Sequence, residues 1–249
     1  MKNIILSGLL AIIVCIPANL SAQTVKVMTY NVHNGIGLDK KRNNARIADV
    51  ISHEKPDFVG IQEVDSMTNR SGNMFVLGDI AQQADMEPTF APAITWDGGI
   101  YGIGLLSKVK PNRVQRIELP GKEEKRTMLI TDFDNYTVIN THLSLTPDDA
   151  LESVKIIHDI LPTLGSKPVF LMGDLNSLPN SPVIKALQND FNIVSPENTP
   201  TFPANNPTER IDYIMISKGH NFNIIRAEVI SDTIASDHRP VIVEISPTK

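Results

Sequence analysis

Cysteine is almost absent from this 249-residue chain: the one residue, Cys15, lies close to the N-terminus. Without more, the folded part can build neither a disulfide nor a thiolate metal site, so its stability must come from a packed core and any metal must be held by other donors. Aromatic residues are scarce, 5% with a single tryptophan. No Gly/Ser linker, low-complexity tract or fixed-period repeat divides the sequence, which points to one domain. Positive charge is lacking as well. Lys and Arg number 23 against 28 Asp and Glu, for a net charge of −5, whereas non-specific DNA binding relies on clustered Lys and Arg.

The only long apolar stretch opens the chain. Lys2, the largely apolar residues 4–16 and Leu20-Ser21-Ala22 supply the charged, apolar and small-residue parts of an export signal. The expectation is a signal peptide over residues 1–22 and one catalytic domain over 23–249, secreted or periplasmic, with no integral membrane segment after cleavage. The alternative is an uncleaved N-terminal anchor, although the apolar run is short for a bilayer span. Ile-Ile-Val before Cys15, in place of small residues, argues against lipid attachment.

Short apolar runs predict strands over 25–31, 58–61, 101–107, 113–119, 127–133, 137–140, 169–172, 211–217, 224–230 and 241–245. Helical spacing predicts helices over 44–53, 73–84, 147–161 and 181–189. Pro56 stops the first of these, and Pro147-Asp148-Asp149 opens the third, where proline and acids suit the first turn. Strands and helices mix without strict βαβ alternation, so the expected class is α+β, with helices covering packed sheets.

Polar residues recur where these runs close: Asn31 in TYN, Glu63 in IQEV, His142 in NTHL, Asp174 and Asn176 in GDLN, Asp212 in RIDY, and Asp237-His238 in SDHRP. Each alone has a plain structural explanation. Gly, Asp and Asn form turns, and a single histidine is more often a hydrogen-bonded core residue than a catalyst. Asp212, inside an otherwise apolar strand, needs a partner or a cation if buried. Asp237 and His238 are adjacent, so on a strand they would point to opposite faces. Together, however, these residues supply oxygen donors for a hard cation and two imidazoles for proton transfer. Phosphoester cleavage needs a nucleophilic water, shielding of phosphoryl charge and protonation of the leaving oxygen, and a divalent ion supplies the first two. Mg²⁺ takes oxygen ligands and few protein carboxylates, which this set matches; Mn²⁺ or Ca²⁺ are the alternatives. Zinc-type His or Cys spacing is missing.

The motifs TYNVHNG, IQEVD, YGIGLLS, NTHL, GDLN, RIDYI and SDHRP cover nearly the whole folded part, and with them the chain resembles the endonuclease/exonuclease/phosphatase superfamily. The resemblance implies a four-layer α/β/β/α sandwich, two packed mixed β-sheets flanked by helices, with the site at the sheet ends. It implies that Asn31, Glu63 and Asp237 serve the metal and that Asp174 and Asn176 position water and phosphoryl oxygens. His238 would stand on the base side, oriented by Asp212, and His142 would face the leaving group as acid or phosphate donor. Water would attack in line, with no covalent intermediate.

The chain departs from its nuclease relatives at Tyr101-Gly102-Ile103-Gly104, which lacks the acid that orients the leaving-group histidine; Asp97 is a substitute candidate. Arg126 stands where those relatives bind phosphate, with a surface salt bridge as the alternative. His33, Asn34 and Trp96 are expected to line the substrate, residues 201–203 to shape access to it, and Arg70 either to contact substrate or only to pair with an acid. The expected function is a secreted, monomeric, Mg²⁺-dependent phosphoesterase acting on a phosphodiester or phosphomonoester of a small or lipid-linked substrate. A metal-dependent nuclease is the second reading and a non-catalytic binding module the third.

Overall fold

The structure, a computed structural model, describes residues 24–248, and the expected export segment lies outside them. In chain order its elements are β1 (Val25–Asn31), α1 (Asn44–Glu54), β2 (Phe58–Ser66), α2 (Val76–Ala84), β3 (Glu87–Trp96), β4 (Gly99–Ser107), β5 (Arg113–Leu119), β6 (Arg126–Asp132), β7 (Thr137–His142), α3 (Pro147–Ile160), β8 (Val169–Asp174), α4 (Pro182–Leu187), β9 (Phe191–Ile193), β10 (Asp212–Ser217), β11 (Phe222–Val229) and β12 (Val241–Pro247).

Alternation within the strands sets the layers. In β1, Val25 and Val27 join one apolar cluster, whereas Met28 and Tyr30 join another, the two-residue period of a strand buried on both faces. The first cluster also holds Phe58, Leu129, Val138, Phe170, Met172 and Ile214, drawn from two sheets ordered β11-β12-β1-β2-β4-β3 and β5-β6-β7-β8-β10-β9. On the outer face of the first sheet, Ile47 and Ile51 of α1 and Leu77 and Ile80 of α2 pack on Met28, Tyr30 and Ile61. On the outer face of the second, Val154 and Ile157 of α3 and Ile184 and Leu187 of α4 pack on Ile139 and Leu171. Three apolar seams thus bind four layers, the expected α/β/β/α sandwich. The middle seam is close-packed: a Cβ on Gly60 would come within 2.7 Å of Asn140 Oδ1 and Met172 Sδ from the facing sheet.

The two halves repeat one topology. β1-α1-β2-α2-β3-β4 and β7-α3-β8-α4-β9-β10 have the same element order, the same parallel pair (β1–β2, β7–β8) and the same neighbour order, with the hairpins β11–β12 and β5–β6 completing corresponding edges. No repeat is visible in the residues themselves.

The structure corrects the predicted elements in four places. β3 falls in a stretch read as irregular: Pro88 and Pro92 hide it, and they are tolerated because β3 is the edge of its sheet. β9 is a three-residue edge strand, too short for a periodic signal. α2 starts at Val76 rather than at 73, because Asn73 lies in a turn at φ 59°. β2 runs on to Ser66, past the expected end at 61.

Candidate active site

Toward one end of the sandwich the face between the sheets turns from apolar to polar. Gln62 Nε2 donates across the gap to Asn140 Oδ1 (2.7 Å) and to Thr29 Oγ1 (3.0 Å), and Asn140 Nδ2 donates to the carbonyls of Ile61 (3.0 Å) and Gly104 (2.8 Å). This bonded layer satisfies its own donors and carries the next row. Asn31, His142, Asp174 and Asp212 continue the inward phase of Val27, Val138, Met172 and Ile214. Register aligns them: Asp174 is the ladder partner of both Asp212 and His142. Gly173, which precedes Asp174, has φ 146°, and a Cβ there would collide with the Thr141 carbonyl, so only glycine lets β8 pass β7 this closely.

Glu63 arrives by a different device. Strict alternation would send it outward with Ile61. Instead β2 slips register between Ile61 and Val64, and Glu63 adopts φ 58°, a bulge that turns its side chain toward the site. Asn31 Nδ2 donates to Glu63 Oε1 (3.0 Å) and to Asp174 Oδ2 (3.1 Å), joining the two sheets. Its Oδ1 accepts from the His33 N–H (3.1 Å); to ligate a cation, the Asn31 amide would have to turn its oxygen inward. Asn176, at φ 45°, donates its backbone N–H to Asp174 Oδ1 (2.9 Å) and its side chain to the Leu143 carbonyl (2.9 Å).

Asp237 and His238 are not on a strand; they lie in the bend before β12. Freed from alternation, the His238 ring reaches Asp212 and Asp174 while Asp237 stays near Glu63 and His33. His238 Nδ1 donates to Asp212 Oδ2 (2.9 Å), and its Nε2 lies 3.6 Å from Asp174 Oδ2. Two supports escaped the sequence reading. Thr201 Oγ1 donates to the same Asp212 oxygen (2.5 Å), and Phe202 packs on the imidazole at 4.7 Å between centroids, so residues 201–203 brace the pair. Ser236 Oγ donates to the Asn31 carbonyl (2.7 Å) and ties the bend to β1. Lone hydroxyls in loops give no sequence signal for either role.

Charge separates the two histidines. Burial opposes ionisation of His238, but Asp212, Asp174 and Asp237 outweigh it and push its pKa up to about 10. Burial dominates at His142, Nε2 3.5 Å from Asp174 Oδ2, with Arg126 and His238 adding repulsion, and its pKa is lowered to about 4. The Glu63 carboxyl is raised, first by burial and then by Asp237 and Asp174, against the Asn31 hydrogen bond. The site thus gathers four acidic side chains about two histidines, and among the described residues Asp212 Oδ1 is buried with no partner. Such an excess of oxygen donors and negative charge fits a hard divalent cation. Ligand atoms of Asp174, Asp212 and His238 lie within 4.8 Å of one another, but Asp212 and His238 spend their facing atoms on each other, whereas Glu63 and Asp237 each have one oxygen that accepts no hydrogen bond among the described residues.

The expected substrate residues divide. His33, part-exposed, lies 3.9 Å from Asp237 at the rim. Trp96, 50% exposed, stands above the Arg70 guanidinium. Asn34 is buried and bound by Arg42 through its carbonyl and its Oδ1. Arg126 is buried and paired with Glu123 (3.3 Å) and Glu124 (3.2 Å), while Arg70 forms a two-pronged pair with buried Asp65 (2.7 and 2.8 Å). Asp97 accepts from Asn69 and the Arg70 N–H, which commits it to its own loop rather than to His142. A cavity of about 440 Å³ opens at the opposite end of the sandwich, by Val25, Phe58 and Phe133, away from every group described above.

The sequence model of the endonuclease/exonuclease/phosphatase family matches residues 28–238. Among solved structures, one of an endonuclease/exonuclease/phosphatase family protein from Bacteroides thetaiotaomicron is 19% identical with a TM-score of 0.74, covering 91% of this chain and 99% of that one. A mannosyl-6-phosphatase from the same organism is 19% identical at TM-score 0.72, covering 89% and 99%. The human Nocturnin catalytic domain with bound sulfate is 18% identical at TM-score 0.65, covering 90% and 95%. No curated protein matches the chain.

Proposed function

The chain belongs to the endonuclease/exonuclease/phosphatase family, and from that footing we propose that it is a secreted, divalent-metal-dependent hydrolase of phosphoric esters, acting on a small or lipid-linked substrate. The observation that carries this reading is the Asp212–His238 pair set against Asp174, with Glu63 brought in from the facing sheet. Glu63 and Asp237, with Asn31 turned to offer its oxygen, would hold Mg²⁺ or a similar cation. When bound, the ion lowers the pKa of water and shields phosphoryl charge.

The side chains supply the rest. Asp174, one oxygen fixed by the Asn176 N–H, orients the attacking water and takes its proton. The water oxygen bonds to phosphorus as the ester bond on the far side breaks. His238, oriented by Asp212, presents its Nε2 beside Asp174 as a donor to a phosphoryl oxygen. His142 donates an N–H hydrogen bond to the leaving oxygen, which takes up a proton from solvent water as it departs. Arg42, Arg70 and Arg126 are each already opposite a carboxylate, so the rim favours a compact phosphoester over a polyanion.

The test is turnover of bis(p-nitrophenyl) phosphate and p-nitrophenyl phosphate with Mg²⁺, with a chelator, and by the Asp174→Asn and His238→Ala variants. The expected result is hydrolysis abolished by chelation and reduced by at least about 100-fold in each variant. Turnover that survives chelation, or a variant of normal activity, overturns the assignment.

A further inference from the structure

A groove of about 200 Å³ runs from Asn176 between the starts of α3 and α4. Leu145, Leu151, Leu178, Pro147 and Pro182 are part of its largely apolar wall, and among the described residues no charged side chain lines it. Leu145 is 66% exposed and Leu178 51%. Single exposed leucines are ordinary, but these two flank one concavity on backbone that is pinned. The Glu123 carboxylate accepts from the Ser144 hydroxyl (2.7 Å), the Leu145 N–H (2.8 Å) and the Thr146 hydroxyl (3.0 Å). On the other side, Tyr213 Oη donates to the Ser177 carbonyl (2.8 Å) and the Ser181 N–H to that of Leu178 (2.9 Å). Both leucines are therefore held out rather than left on loose tips.

The groove also borders the candidate active site through Asn176. Asn176 lines it, bonds Asp174 through its backbone N–H, and through its side chain bonds the Leu143 carbonyl, at the root of the loop that carries Leu145. From a phosphoryl group at Asp174 this uncharged trough lies on the far side of Asn176.

Building on the phosphoester reading above, we propose that the groove receives an alkyl chain of the substrate itself, which makes the substrate class an ester of phosphoric acid with an apolar alcohol or lipid. The phosphoryl group gives orientation at the polar end, and burial of methylenes between Leu145 and Leu178 gives affinity.

Binding of ethylphosphonate and octylphosphonate, whose C–P bond no phosphoester hydrolase cleaves in this way, tests the groove without turnover. Calorimetry in Mg²⁺ buffer would compare the wild type with the Leu145→Asn/Leu178→Asn double variant, whose exposed positions spare the core. In the wild type, octylphosphonate is expected to bind at least about 10-fold more tightly than ethylphosphonate, and in the double variant that ratio should fall below about 3-fold. Equal or undetectable binding of the two by the wild type, or a ratio that survives in the variant, overturns the proposal. A protein that shows the chain-length ratio yet hydrolyses no ester would uphold the groove and overturn the hydrolase reading instead.

Discussion

His142 and His238 lie 3.5 and 3.6 Å from the same Asp174 oxygen, so proximity to that carboxylate does not distinguish them. Their surroundings do: His238 has Asp212 on its far nitrogen, while His142 is governed by burial, with the charge of Arg126 adding to it. Held above the ordinary 6.5, the charge on His238 contributes stability that is complete below about pH 6.5 and lost as the pH rises through about 10. His142 has the reverse sign, its contribution complete above pH 6.5 and lost as the pH falls toward about 4. Imidazole ¹⁵N shifts of the chelator-treated protein should show His238 doubly protonated at pH 7.5 and His142 neutral at pH 5.5. Asp212→Asn should bring the His238 pKa down by more than one unit. An unchanged His238 titration in that variant would mean that Asp212 does not set its charge.

At the level of the element, the bulge in β2 is the feature on which the site most depends. It puts Gln62 and Glu63 on one side of a strand that would otherwise separate them, at the cost of a glutamate in the left-handed region. Such a backbone costs a non-glycine residue about 1–2 kcal/mol. Glu63→Gly and Glu63→Ala remove the same carboxylate, but only glycine relieves the backbone. Urea unfolding should therefore find Glu63→Gly more stable than Glu63→Ala by about 1 kcal/mol, and both should lose Mg²⁺ dependence and most turnover. Equal stabilities would show that the left-handed turn carries no strain. None of this was legible in IQEV, which shows the acid but not the slip. β3 was hidden for a related reason: whether Pro88 and Pro92 break a strand depends on whether it sits at an edge, and that is decided by the other five strands.

Across the whole molecule, each sheet supplies half of a site that neither completes alone. The repeated topology puts the end of β1, with Asn31, against the end of β8, with Asp174, and the Gln62–Asn140 pair between β2 and β7 fixes how the halves face each other. Asn140→Leu would leave the Gln62 amide and the Ile61 and Gly104 carbonyls without their partner inside the seam. It should cost about 1–3 kcal/mol and lower turnover, though Asn140 is not among the groups that meet the phosphoester. Stability and turnover of this variant equal to wild type would show that the polar layer does not hold the sheets in place. Gly60→Ala should destabilise by a similar amount through the clash with Asn140 and Met172, visible as a lower Tm.

Much of the chemistry was legible before the fold was. Asp174, Asp212, Glu63 and His238 are residue types that oxygen-ligand and proton-transfer chemistry requires wherever they stand, and β8 and β10, which bear the first two, show as short apolar runs. The layered class follows from the same local periodicity. What tertiary structure alone decided is everything set by neighbours distant in sequence: that Arg126 and Asn34 are committed to internal partners, that Thr201 braces Asp212, that Asp237 and His238 face one site from a bend, and that two identical imidazoles differ in charge. Burial and Coulomb interaction depend on which groups are brought within a few ångströms, and a chain's local pattern specifies its elements without specifying those distances.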